Sequence, residues 1–137
     1  LSVVPVYQLD ANVILRFLMD DNKDFAPRAR DLIRRANEGQ VVLEISAVTV
    51  AEIIYAMKAS YQIHRRQASA VVADLLRTPA FHMVERRRIL DSLARVVSAN
   101  VDFGDAYLAA TAAETGTAVA SFDRDLDRFA DVKRMEP

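Results

Sequence analysis

A chain of 137 residues fits one domain and is long enough to bury a core without covalent staples. It contains no cysteine, which removes disulfides, thiolate nucleophiles and cysteine-bound zinc or iron–sulfur centres together, so any metal must be held by harder ligands. With 18 basic and 19 acidic residues the net charge is −1, which excludes a chain that coats nucleic acid by overall charge and leaves substrate recognition to a local site.

Val3 to Leu9 is β-branched and apolar and predicts a buried strand, followed by a helix from Ala11 to Met19 behind an Asp10 cap. Asp24 to Glu38 has helical spacing with several arginines and stops at Gly39. Val41 to Ile45 predicts a second strand. Ser46 caps a third helix, Ala47 to Tyr61, and a fourth, Arg65 to Arg77, ends before Pro79, so that the two form a hairpin. Phe81 to Val84 predicts a short strand, and Glu85, ahead of Arg86, Arg87 and Arg88, opens a helix to Ala99. Asp102 caps a helix from Phe103 to Thr115 that Gly116 terminates. Thr117 to Phe122 predicts a strand, Arg124 to Phe129 a short helix, and Val132 to Met135 a last strand. This alternation predicts a single α/β domain over residues 1–137, with a parallel sheet covered by helices.

No apolar run reaches the roughly 18 residues that span a bilayer, and the residues before Asp10 lack the basic-then-apolar pattern of a signal peptide, so a soluble, cytoplasmic protein is expected. Leu1 is not an initiator methionine, and an upstream segment, removed or omitted, is expected.

Four carboxylates occupy informative places. Asp10 and Asp123 directly follow predicted strands, where ligands of open α/β sheets gather. Glu52 is the only charge in AVTVAEIIYAM, residues 47–57, a helix apolar on nearly every side. It is therefore expected to be mostly buried and to require a partner. Asp105 lies in the first turn of a helix that continues AYLAATAA. Taken singly, Asp10, Asp102 and Asp123 are explained as helix caps, and for Asp102 capping is the preferred reading. Asp105 suits the positive end of its helix. Glu52 has the weakest structural explanation, because a desolvated ion pair adds little stability. Together, Asp10, Glu52, Asp105 and Asp123 would repel one another unless protons or cations compensate, and oxygen-only ligation selects Mg²⁺ or Mn²⁺ over zinc. The set predicts a divalent metal site and metal-dependent phosphoryl chemistry.

The remaining polar residues add less. Arg16, Arg28, Arg34, Lys58, Arg65, Arg124 and Arg128 are candidates for contact with a nucleic-acid backbone, although solvated helix faces explain them as well. His64 and His82 have no partner spacing for a triad or a zinc site and read as surface or core residues. Gly39, Gly104 and Gly116 form no phosphate-cradling loop, so ATP and dinucleotide cofactors are not expected.

LDANVIL around Asp10, SAVTVAEIIYAM around Glu52 and VDFGDAYLAATAAETGTAVASFDRDLDRF around Asp105 and Asp123 resemble, in that order, the PIN-domain ribonucleases, particularly the VapC-type toxins of toxin–antitoxin pairs. The resemblance covers nearly the whole chain. It implies a three-layer fold with a central parallel sheet of four to five strands flanked by helices. Asp10, Glu52 and Asp105 match three acidic metal-site positions and Asp123 the fourth, while Asn12 and Ser46 match polar helpers. Ser121 stands where threonine is commoner, and Asp125 is a second candidate for the fourth ligand. The implied activity is Mg²⁺- or Mn²⁺-dependent endonucleolytic cleavage of single-stranded RNA, leaving 5′-phosphate and 3′-hydroxyl ends. The implied partners are a second copy of the chain and a small VapB-like antitoxin.

Two other readings compete. A phospho-accepting receiver domain also has an acidic Mg²⁺ pocket, but it needs paired acids after its first strand, whereas Glu52 lies inside a helix. A PIN-like binding module that has lost catalysis is disfavoured by the presence of all four acids.

Overall fold

Parallel pairing follows from the alternation of strands and helices. The computed structural model describes residues 3–137; Leu1 and Ser2 lie outside the described residues. Strands β1 (Val6–Gln8), β2 (Val42–Glu44) and β3 (Phe81–His82) form one parallel ladder in that order, with Tyr7 opposite Leu43 and Leu43 opposite Phe81. Strands β4 (Val119–Ala120) and β5 (Arg134–Met135) form a second parallel pair. Six helices accompany them among the described residues: α1 (Ala11–Met19), α2 (Phe25–Asn37), α3 (Ala47–Tyr61), α4 (Arg65–Leu76), α5 (Arg86–Ala99) and α6 (Phe103–Thr115). A 3₁₀ turn covers Arg124–Arg128.

The domain is therefore the expected mixed α/β fold with parallel strands, and its strands are shorter than the apolar runs that mark them. Single backbone bonds extend the ladders at their ends, as from Leu9 N–H to the Glu44 carbonyl (2.8 Å) and from Ser121 N–H to that of Met135 (3.0 Å).

Local chemistry explains several element ends. The Ser46 hydroxyl accepts from the Thr49 N–H at 3.3 Å and caps α3, as its position predicts. Gly39 and Gly116 follow α2 and α6 with φ of +77° and +68°, a left-handed conformation that costs glycine nothing. His64 also caps: its Nδ1 accepts from the Arg66 N–H at the start of α4.

Two burial expectations are corrected. The apolar run of β1 was expected to be buried, but Val6 and Tyr7 are 55% and 47% exposed, because β1 is an edge strand and only Leu9 turns into the core. Glu52 was expected to be mostly buried, but α3 turns Val50, Ile53, Ile54 and Met57 inward and leaves Glu52 exposed between Val48 and Tyr55. The three-stranded ladder is likewise two-sided. Leu43 and Phe81 face the core, whereas Gln8, Glu44 and His82 stand in register on the opposite face. There the Glu44 carboxylate accepts from Gln8 and bonds His82 Nδ1 at 3.0 Å.

The core is one cluster running from Leu9 and Ile14 through Ile53 and Leu93 to Leu126 and Phe129. Arg95 on α5 ties the C-terminal segment to it. Its guanidinium donates twice to Asp131, at 2.8 and 2.5 Å, and once to Asp91, and lies over the Phe129 ring at 5.2 Å. The guanidinium holds the Asp131 carboxyl below the usual carboxylate range. Stability from this pair is therefore present above the unfolded aspartate value of about 3.9 and is lost as pH falls through the lowered folded value. Arg95→Ala should lower stability at pH 7 by about 1–2 kcal/mol in urea denaturation, discounted because Asp131 faces solvent. An unchanged urea midpoint would show that the clasp holds nothing.

Candidate metal centre

The centre is built where β4 and α6 present their ends. α6 is fixed at its start by Phe103 and Ala106, both buried, which leaves Asp105 half-buried in the first turn. Asp102 occupies the N-cap position, yet its side chain makes no capping hydrogen bond, contrary to the expected role. Arg65 of α4 draws it away, with Nη1 2.6 Å from its carboxylate. The helix end thus keeps unsatisfied N–H groups near Asp105, a positive field that favours negative charge.

The second part follows β4. The Ser121 hydroxyl accepts from the Asp123 N–H at 2.9 Å, and the Asp123 carboxylate accepts from the Asp125 N–H at 2.9 Å. These two bonds fold the chain into a turn that sets Asp123 and Asp125 beside Asp105. One carboxylate oxygen from each of the three lies within 4.8 Å of the others. Asp105 and Asp125 are half-buried and Asp123 is exposed. Burial pushes the Asp105 carboxyl above its ordinary value, reinforced by the charges of Asp123 and Asp102, by a hydrogen bond with Asp123 and by the charge of Asp125. Arg128 restrains the rim, with Nη2 3.3 Å from Asp125 and Nη1 donating to the carbonyls of Ala99 and Asn100.

Carboxylate oxygens at this spacing, one of them resisting ionisation, fit a hard divalent cation, which would relieve the repulsion among them. Asp105 and Asp123 are thus brought together, and Asp125 joins them instead of merely competing for one place. Asp10 and Glu52 stand outside this group of three. Asp10 is the N-cap residue of α1 and, like Asp102, makes no capping hydrogen bond. Neither the Asp10 nor the Glu52 carboxylate has a hydrogen-bond or ion-pair partner among the described residues, so structural pairing does not account for either. Asn12 is exposed in the first turn of α1, Ser46 serves its cap, and Ser121 forms the turn.

Sequence reasoning missed the part played by Arg128, whose only local signal is its position three residues after Asp125 on a helical turn. It also missed the pull of Arg65 on Asp102, which no local pattern reveals.

The family model described as PIN domain matches residues 7–132, a span that takes in Asp10, Glu52 and all three clustered aspartates. No curated protein matches the chain.

The raised Asp105 value carries a definite sign. The folded protein binds this proton more tightly than the unfolded chain, so ionised Asp105 costs stability above its folded value. That cost disappears as pH falls to about 3.9 and below. In EDTA at pH 7, Asp105→Asn should melt a few degrees higher than the parent, and the gain should vanish toward pH 4. A lower melting temperature at pH 7 would mean that the carboxylate serves the helix end more than it suffers from its neighbours.

Proposed function

The chain belongs to the PIN-domain family, and from that premise we propose that it is a Mg²⁺- or Mn²⁺-dependent endoribonuclease that cleaves single-stranded RNA. The observation that carries this reading is the convergence of Asp105, Asp123 and Asp125 at the end of β4 and the start of α6. Asp105 and Asp123 are assigned as metal-holding acids with Asp125 beside them. Asp10 and Glu52 are assigned to the same acid set on their matching family positions and on their lack of a partner among the described residues. Asn12, Ser46 and Ser121 are assigned supporting roles.

A bound cation would supply charge neutralisation and Lewis acidity at a phosphate oxygen. The chain supplies the rest. Ser121 and the Asp123 turn hold two carboxylates at fixed spacing, so little reorganisation is needed when charge develops on the substrate. A carboxylate of the acid set would accept the proton of the attacking water. In-line attack at phosphorus breaks the bond to the 3′-oxygen and leaves 5′-phosphate and 3′-hydroxyl ends.

The biological setting proposed is the toxin of a toxin–antitoxin pair, cytoplasmic and homodimeric, over a single domain of residues 1–137. An acidic centre is also a receptor for arginine, whose planar fork pairs with carboxylates, so a small VapB-like antitoxin would inhibit by placing a guanidinium there.

Labelled single-stranded RNA should be cleaved with Mg²⁺ or Mn²⁺ and left intact in EDTA. Loss of a supporting residue around a metal costs about 10–100-fold, so Asp10→Asn, Glu52→Gln and Asp105→Asn should each cost about 100-fold or more with the fold retained by circular dichroism. Undiminished cleavage in EDTA would remove the mechanism, and full activity in Asp10→Asn and Glu52→Gln would confine the centre to the three clustered aspartates.

The toxin role is tested separately by expressing the chain in cells. Growth should arrest, and co-expression of a small protein encoded beside it should restore growth. Without arrest by an active enzyme, the toxin role falls and the nuclease reading stands.

A further inference from the structure

We infer that the groove between α1 and α2 is the path of the RNA strand, a step that rests on the ribonuclease reading and names the surface that would hold its substrate. The groove has a volume of about 500 Å³ and is lined at one end by Asn12, two residues beyond Asp10, the N-cap residue of α1 and a proposed catalytic acid. Arg16, Phe25, Arg28 and Arg35 line it. On α2, Phe25, Arg28, Leu32 and Arg35 are spaced by three, four and three residues, which makes one stripe about 15 Å long.

Pairing within the protein sets Arg28 and Arg35 apart from Arg16, which is tied to Asp21 at 3.1 Å, and from several cations elsewhere. Arg34 is tied to Asp31 and Glu38, Arg65 to Asp102 and Asn100, and Arg128 to Asp125 and two carbonyls. Arg35, by contrast, is half-buried and has no carboxylate or carbonyl acceptor among the described residues. Arg28 has only a 4.0 Å approach to Asp24 and lies over the Phe25 ring at 5.5 Å. Asp31 also lines the groove; Arg34 bonds it at 2.7 Å, and Arg35 acts on it through space without a hydrogen bond.

A half-buried guanidinium whose N–H groups have no bonded acceptor, and whose nearby carboxylate is already bonded to Arg34, calls for an anion. An adjacent aromatic ring that is 48% exposed offers a stacking surface. Phosphates joined to flat bases satisfy both at once, which an acidic peptide does not. Arg28 and Arg35 would bind phosphates, and Phe25 would stack on a base.

The test is fluorescence anisotropy of a labelled single-stranded RNA in EDTA, over a salt series, together with cleavage kinetics in Mg²⁺. Each phosphate neutralised on a single strand contributes about 0.7 to the salt slope, so Arg28→Ala/Arg35→Ala should lower that slope by about 1.4 and weaken binding at low salt by tenfold or more. KM should rise with kcat unchanged, and Arg35→Lys should keep the slope. Phe25→Ala should weaken binding at least fivefold with the slope intact, consistent with about 1–3 kcal/mol per stacked base. Arg87→Ala/Lys133→Ala, exposed cations without partners elsewhere, serves as the control and should match the parent. Wild-type affinity and slope in the double groove variant, with RNA still cleaved, would overturn the groove assignment and leave the nuclease reading standing. A chain that neither binds nor cleaves RNA would remove both. Binding of a labelled glutamate-rich peptide in preference to RNA, lost in the double variant, would give the groove to a protein partner instead.

Discussion

Mutual repulsion among Asp105, Asp123 and Asp125 is the constraint around which the rest of the domain is arranged. Two unit charges separated by 4.8 Å repel by about 3 kcal/mol at the effective dielectric of a protein surface, a large share of the net stability of a small domain. Within the group only the Asp105–Asp123 hydrogen bond and the Asp125 N–H to Asp123 oppose this. The remaining opposition comes from the periphery, where guanidinium groups fix the segments that carry the acids. Arg128 holds the 3₁₀ turn to the carbonyls that end α5, Arg65 holds the start of α6 through Asp102 and Asn100, and Arg95 holds the segment after the turn through Asp131. None of these arginines replaces a cation at the centre, since only Arg128 touches a member of the group, at 3.3 Å. The acids are kept close but not neutralised.

That arrangement separates the sources of stability from the candidate metal centre. The clamps and the apolar cluster from Leu9 to Phe129 hold the fold, while the acids work against it. A charge that costs stability when unpaired contributes most when a cation arrives, because the interaction gained is not offset by one already made inside the protein. The diverted side chain of Asp102 acts in the same direction. By pairing with Arg65 instead of capping α6, it leaves the positive helix end to Asp105.

Features governed by a few consecutive residues were legible in the sequence. Ser46 as a cap and glycine after α2 and α6 are each decided within one turn of chain and each is found where expected, while Asp123 follows the shorter β4 after two intervening residues. The parallel α/β class was legible for the same reason, since it follows from the order of elements. Legibility ended where the outcome depends on what packs against an element. α3 is apolar almost all round, so composition could not say which side would meet the core, and Glu52 came out exposed. β1 has the composition of a buried strand, but its place at the edge of a ladder is a property of the other strands. The arginine clamps were illegible altogether: Arg65 meets Asp102 across 37 positions and Arg95 meets Asp131 across 36.

The same long-range pairing explains how a chain of net charge −1 can present a basic surface. Most of its arginines are spent on internal clamps, so counting them says little about ligands. What matters is the residue left over. Arg35 sits half-buried on the inner stripe of α2, and Phe25 places an aromatic ring and a loosely held guanidinium on the same stripe. Acid centre and basic groove thus arise from one distribution of charge: counter-ions are matched where the fold is held and left largely unmatched around Asp105 and along the groove face of α2.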